Sequence, residues 1–286
     1  MLRQVDMALY RAKATGRHTA ALFEGSMQAQ ADRRLLLEKG LRLALERDEF
    51  ELYYQPQLDM QARFIGAEAL LRWRHPEHGL IDPAEFIPIA EETGLIHRIG
   101  RYVLHQACLE LDAWPASQAQ ARLSINVSPW QLFAQDFVRT LQETVASTRA
   151  DPRRLTLEIT ENAFLHDLDD AAGKIRSLEA AGFQFSLDDF GSGYTSLASL
   201  KKLPVRELKI DRTFIEGLHT GSHDRFIEVM ITIAHHLKLF VVAEGVETEE
   251  QRVALAGLGC DAIQGYLISH PLPATAFRRW LAGYTS

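Results

Sequence analysis

From about Leu35 onward the chain alternates short, β-rich apolar runs with stretches of helical period, and this alternation restricts the fold more than any other feature. Candidate strands fall at 50–54, 64–71, 122–127, 155–159, 184–188, 207–210, 240–243 and 262–264. Runs such as ELYYQ, LSINV, LTLEI and LFVVA are short and mostly apolar, as expected of strands covered by helices on both faces. Helices are expected between them, near 99–114, 130–147, 169–181 and 248–258. Phe226, Ile227, Met230, Ile231, Ala234 and Leu237 share one helical face behind a capping stretch at 222–224. Eight strands with helices between them, from 35 to 286, match a (β/α)8 barrel of roughly 250 residues. An open, doubly wound sheet is the competing architecture, because strand order is not written in the sequence.

One spacing departs from the ideal barrel. Residues 55–63 alone separate the first two strands, and they contain Pro56 and Asp59 with no helical period. A parallel crossover takes roughly a dozen residues or more, so these two strands are expected to be antiparallel. The segment RRLLLEKGLRLALERDEF reads as a helix leading into the barrel. Before it, Val5, Met7, Ala8, Leu9, Ala12 and Ala14 suggest a helix with no strand to pack on, so residues 1–30 are read as a remnant of a preceding domain plus linker, and 31–286 as the barrel.

The net charge of −7 argues against wrapping duplex DNA, which needs a basic surface. It leaves room for a small anionic ligand, provided cations stand between its phosphates and any convergent acids. The two cysteines, Cys108 and Cys260, lack a Cys-x-x-Cys partner and read as buried thiols in a reducing compartment, so the cytoplasm is the expected location. The start carries no signal-peptide pattern, and no apolar run reaches the roughly 18 residues of a membrane span.

Polar side chains recur at or near strand ends: Glu68, Asn126, Glu158, Asp188 with Asp189, Lys209, Glu244 and Gln264, in GAEALLRW, LSINVS, LTLEIT, FSLDDFG, ELKID, VVAEG and AIQGY. One ionisable residue in an apolar strand is costly unless paired or metal-bound. Any single one could be a barrel-layer polar residue or a salt-bridge partner. As a set they imply a site, because strand C-termini in a barrel share one rim. Hard oxygen donors without clustered His or Cys favour Mg²⁺ or Mn²⁺ over zinc. Neighbours in a regular strand face opposite ways, so Asp188 and Asp189 can reach one site only where the strand ends, before the turn at 191–193. Two ions could then serve phosphoryl hydrolysis, with Lys209 orienting water or neutralising charge. His75 and His78 are read as a solvated turn, and His235 and His236 as structural. The run Gly191-Ser192-Gly193 is read as an active-site loop rather than a dinucleotide fingerprint.

Glu68-Ala69-Leu70 resembles the signature of the EAL family of c-di-GMP phosphodiesterases. The likeness runs from about Arg33 to the C-terminus through YYQPQ, EFIPIAEETGLI, INVSPWQL, LEITEN, DDFGSGYTSL, LKIDRTFI, AEGVET and QGYLISHPLP, in family order. It implies a modified TIM barrel with one antiparallel strand, hydrolysing c-di-GMP to linear 5′-pGpG with two Mg²⁺ or Mn²⁺ ions per site and inhibited by Ca²⁺. Glu68, Asn126, Glu158 and Asp188 match the family's metal ligands, Asp189 the carboxylate of the second metal, and Glu244 a further acid of the metal and water site. Lys209 matches the lysine assigned to water activation, and with Glu244, Asp189 and Glu68 makes the expected catalytic set. Gln55, Leu71, Arg72 and Gln264 match substrate contacts, and Glu161 the glutamate that steadies the loop after the aspartate pair.

The loop reads GSGYTSL where GTGYSSL is common, and His270 replaces a frequent basic residue before Pro271, which is expected to alter the rim. VDMALYRAKATGRH resembles the last helix of a GGDEF cyclase domain, so a longer GGDEF–EAL protein with upstream sensory domains is implied, along with a homodimer built around the helix after the Asp188–Asp189 loop. A non-catalytic c-di-GMP receptor acting through a partner protein is the alternative; another (β/α)8 metal-dependent phosphoesterase is a third.

Overall fold

A computed structural model describes residues 25–165, 167–191, 200–218 and 225–284. The expected helix around 5–14, the capping stretch at 222–224 and the loop beyond Gly191, with the start of the helix after it, lie outside the described residues. The chain divides into two compact units, one taking in the chain up to Phe50 with Trp73–Leu95, the other Glu51–Arg72 with Ile96–Ser286.

In the first unit, α1 (Gly25–Ala44) buries Leu37, Leu41 and Ala44, a spacing of three to four residues that forms one helical stripe. The helix runs unbroken through residues 30 and 31. Its Arg33 reaches Glu85 at 2.9 Å on α2 (Pro83–Glu92). Asp82 caps α2 by accepting from Ala84 N, and Pro83 stands at the first helical position, where its missing N–H costs nothing. Phe50, Trp73 and Phe86 pack their rings within 6.0 Å of one another. The solvated turn expected around His75 and His78 narrows to residues 76–78, where His78 is exposed, while residues 73–75 pair antiparallel with β3 (Gly79–Ile81).

The second unit is the barrel. Its staves are β1 (Phe50–Asp59), β2 (Phe64–His75), β4 (Arg122–Asn126), β5 (Leu155–Thr160), β6 (Gln184–Phe190), β7 (Glu207–Ile210), β8 (Phe240–Ala243) and β9 (Ala262–Gln264), and β1–β2 pairing closes the ring. The open-sheet alternative is therefore excluded. All expected strands are present, several longer by a few residues. From β2 through β4 to β9 every neighbouring pair is parallel, whereas β1 runs antiparallel to β9. The reason is shorter than the spacing suggested: β1 continues to Asp59, leaving only residues 60–63 as the turn. Asp59 accepts from Gln61 N and Arg63 N, both at 2.9 Å, and folds that turn tightly. A short β10 (Leu272–Pro273) adds to β1.

Helices described in full in this unit are α3 (Ile96–Asp112), α4 (Pro129–Leu132), α5 (Phe137–Thr148), α6 (Leu168–Ala180), α7 (Arg212–Ile215), α8 (Arg225–His236), α9 (Glu249–Gly257) and α10 (Ala274–Gly283). The helix expected over 130–147 is split in two, α4 being closed early after its Ser128–Gln131 capping box. On α8 the buried face is Ile227, Met230, Ile231 and Ala234; Phe226, expected there, is exposed. Thr248 and Gln251 form a second capping box that starts α9. Cys108 and Cys260 are buried free thiols. His235 bonds Asp261 and His236 the Thr232 carbonyl. No described helix is long and apolar enough to cross a membrane.

Candidate active site

Strand register aligns the polar residues before any side-chain contact is considered. Asn126 lies beside Glu158 in the β4–β5 pair, and Glu68 lies beside Ser124 in the β2–β4 pair. Inward positions two apart on each strand then carry Glu158, Lys209 and their neighbours towards the carboxyl ends of the staves.

Lys209 is the hub. Its side chain is 1% exposed, and its Nζ lies 2.9 Å from Glu158 Oε2, 2.5 Å from Glu244 Oε1, and 3.5 Å from both Glu68 Oε2 and Asp188 Oδ1. Asn126 Nδ2 donates to Glu68 Oε1 at 2.7 Å, and Gln264 Nε2 donates to Glu68 Oε2 at 2.6 Å. Gln264 also reaches Gln55 Oε1 and receives Gln57 Nε2, and Gln55 donates to the Ser269 carbonyl.

Four carboxylates around one ammonium leave an excess of negative charge. Burial works against the Lys209 ammonium, but Asp188, Glu158, Glu244 and Glu68 outweigh it and hold its pKa well above the usual value. Burial also pushes the carboxyls up. Glu244 is raised to about 8, with Lys209 opposing and Asp188 and Glu68 adding to the rise. Glu158 is likewise raised by burial and by its acidic neighbours. Glu68 goes the other way: Lys209, Gln264 and Asn126 overcome its burial and keep it ionised.

The aspartate pair is arranged differently from the simple strand end that was expected. Strand β6 continues through Phe190, with a register shift between Leu187 and Phe190. Asp189 sits there with φ 55°, a left-handed conformation uncommon outside glycine, as an irregularity of this kind requires. Asp188 joins the carboxylates around Lys209, whereas Asp189 has Asp211 as a hydrogen-bonding neighbour, and burial followed by Asp188 and Asp211 raises its carboxyl to about 6. Glu161, buried on the segment after β5, accepts from Gly191 N at 3.1 Å at the start of the following loop.

A pocket of about 250 Å³ opens above the cluster, lined by Gln55, Glu68, Asp188, Glu244 and Gln264 among others. Arg72 lies off this lining, with its guanidinium over the Tyr53 ring and donating to the carbonyl of half-buried Leu71. The His270 ring stacks on Tyr266, their centroids 3.9 Å apart.

The EAL domain profile matches residues 38–271. The chain belongs to the EAL domain family. Over 277 residues the EAL domain is 42% identical to the bifunctional diguanylate cyclase/cyclic di-GMP phosphodiesterase MucR of Pseudomonas aeruginosa, covering 96% of this chain and 40% of MucR. It is 37% identical over 287 residues to the cyclic di-GMP phosphodiesterase NbdA of the same organism, covering 99% of this chain and 37% of NbdA. The chain thus spans well under half the length of these curated relatives. A solved PaMucR phosphodiesterase in complex with c-di-GMP superposes with a TM-score of 0.80 at 41% identity, over 85% of this chain and 99% of that one.

Sequence reasoning missed several residues that this EAL domain places at the site. Arg212 and Tyr266 line the pocket, Gln57 supports Gln264, and Asp211 faces Asp189. Each follows or flanks a residue that was singled out, and the paired polar residues in LKIDR and QGY were the available signal.

Among the described residues no three His, Cys, Asp or Glu side chains already form a metal cage, since Lys209 Nζ stands at the centre of the acids. The donor set nevertheless suits a hard divalent cation. Glu158 Oε1 and Asp188 Oδ1 are buried without any hydrogen-bond partner, and one ammonium cannot balance four carboxylates.

Proposed function

We propose that this EAL domain is a c-di-GMP-specific phosphodiesterase, opening the cyclic dinucleotide to linear 5′-pGpG in a reaction that depends on Mg²⁺ or Mn²⁺. The observation that carries the reading is the rim of four convergent carboxylates with two orphaned buried oxygens. The phosphodiesterase names of MucR and NbdA support the substrate.

In this reading Glu68, Asn126, Glu158 and Asp188 would hold one ion and Asp189 the second, with Glu244 serving the metal and water site. Bound ions would supply a hydroxide-like nucleophile from water at neutral pH and screen phosphate charge. The remaining work falls to the chain. Water adds to one phosphorus, the P–O3′ bond breaks and the ribose 3′-oxygen leaves. Lys209, kept cationic by its neighbours, serves as a fixed positive charge that orients water rather than as a base. Glu244 and Asp189, with proton affinities near neutrality, are the groups able to hold the proton that water releases. Gln55, Leu71, Arg72 and Gln264 position the dinucleotide, Arg72 being suited to a phosphate oxygen. Glu161 steadies the loop that follows Gly191. Upstream GGDEF and sensory domains, a homodimer and a cytoplasmic setting complete the proposal.

The test is incubation of purified protein with c-di-GMP and Mg²⁺, followed by chromatography. Linear 5′-pGpG is expected. Binding of c-di-GMP without turnover would instead identify a non-catalytic receptor.

A further inference from the structure

We propose that the opposite mouth of the barrel is a second binding site, which takes a small zwitterionic amino acid with its ammonium group on Glu207 and its carboxylate on Arg122. This end is formed by the starts of the strands, one inward position below the rim on β4, β5 and β7. A cavity of about 980 Å³ opens there, lined by Gln57, Arg122, Ser124, Thr156, Gln184 and Glu207 among others. The volume lies at the upper end of the roughly 300–1,000 Å³ typical of small-molecule pockets.

The cavity exists because the sequence leaves the lower interior unfilled. Barrel interiors are ordinarily packed with layers of branched aliphatic side chains. Here the register sets Ser124 beside Thr156 and Ser186 beside Glu207, so small hydroxyl residues occupy inward positions that Val, Ile or Leu would otherwise fill. Polar and apolar side chains share the lining, and the polar ones can engage a polar guest.

Glu207 specifies the first half of that guest. It is nine-tenths buried, and its Oε1 has no hydrogen-bond partner. A buried carboxyl oxygen without a donor is costly. Lys209, the next inward residue on β7, is already committed to the acids of the upper rim. Burial raises the Glu207 carboxyl, with Ser186, Lys209 and Arg122 pulling the other way. An ammonium group placed at Oε1 would supply the missing donor and the compensating charge.

Arg122 specifies the second half. Three arginines stand at this mouth, and two are engaged: Arg63 with Asp59 at 2.6 Å and Arg206 with Glu179 at 2.7 Å. Arg122 is exposed, makes no ion pair among the described residues, and is the one whose charge acts on Glu207. A buried acceptor and a free guanidinium in one cavity match a molecule carrying both charges better than either charge alone.

The experiment titrates the full 286-residue chain with the standard amino acids, by thermal shift and then calorimetry. Methylamine and acetate serve as single-charge probes. At least one amino acid is expected to raise the melting temperature and to bind about tenfold or more tightly than either single-charge probe. Glu207→Gln, which keeps the shape, and Arg122→Gln, at an exposed position, should each weaken binding about tenfold or more while leaving the unliganded melting temperature near wild type. Should Glu207→Gln not fold, Arg122→Gln decides. The proposal is overturned if no amino acid shifts the wild-type protein, if a folded variant binds as tightly as wild type, or if methylamine alone binds as well.

Discussion

Replacing Lys209 with Met removes the ammonium at the centre of four carboxylates while keeping roughly the length and volume of the side chain. The lysine is 1% exposed, and its two closest partners, Glu158 and Glu244, lose their counter-charge in a largely buried region. Removing one partner of a buried ion pair costs roughly 3–5 kcal/mol. That is a large part of the 5–15 kcal/mol of a typical domain. For a chain of this size it corresponds to a melting temperature lower by on the order of 10 °C. Protonation relieves the variant, because a neutral carboxyl needs no counter-ion. The deficit should therefore be smaller near pH 5 than near pH 9, because Glu244 ionises only at about 8 even beside Lys209. Divalent cations should relieve it as well, since a ligand at about 100 times its Kd stabilises by about 2.7 kcal/mol. The assay is thermal unfolding of wild type and Lys209→Met at both pH values, in EDTA and in saturating Mg²⁺. A variant as stable as wild type at pH 9 in EDTA would refute the electrostatic reasoning.

Three further outcomes follow from the same cluster. In EDTA the wild-type protein should lose stability between pH 4.5 and 8: the folded pKa of Glu244 is raised, so its contribution is complete below the unfolded value of 4.5 and gone above about 8, an effect of up to about 5 kcal/mol seen by denaturant titration. Mg²⁺ binding should release protons and weaken as pH falls below about 8, as calorimetry in buffers of different ionisation heat would reveal. Glu68→Gln should lower turnover of c-di-GMP at least about a hundredfold, and Ca²⁺ should inhibit the wild-type enzyme in the same product assay, because its larger, looser coordination suits this chemistry poorly.

Much of the barrel was legible because its strands are written as apolar runs with one misplaced polar residue. LTLEI and LSINV could hardly be anything but buried strands, and Glu158 and Asn126 stand out within or at the end of them. The antiparallel β1 was legible from spacing, although Asp59 folds the turn more tightly than the spacing required. What escaped was either too short or tertiary in origin. β10 and β3 have two and three residues, too few for a period to appear. Helix α2 was hidden by Pro88 in its interior, although Asp82 and Pro83 were a readable start. The bulge that turns Asp189 towards Asp211 depends on pairing with β7, and nothing in FSLDDF specifies it. The place of Lys209 at the centre of the acids, rather than beside them, likewise emerged only when five strands were brought together.

The most direct test is diffraction from crystals grown with Mn²⁺ and c-di-GMP, using the anomalous signal of the metal to locate it. A peak within bonding distance of Glu68, Asn126, Glu158 and Asp188 is the predicted result, with Lys209 displaced from the centre of the acids. A substrate-loaded, Mn²⁺-saturated crystal whose only peaks lie away from those four side chains would contradict the account.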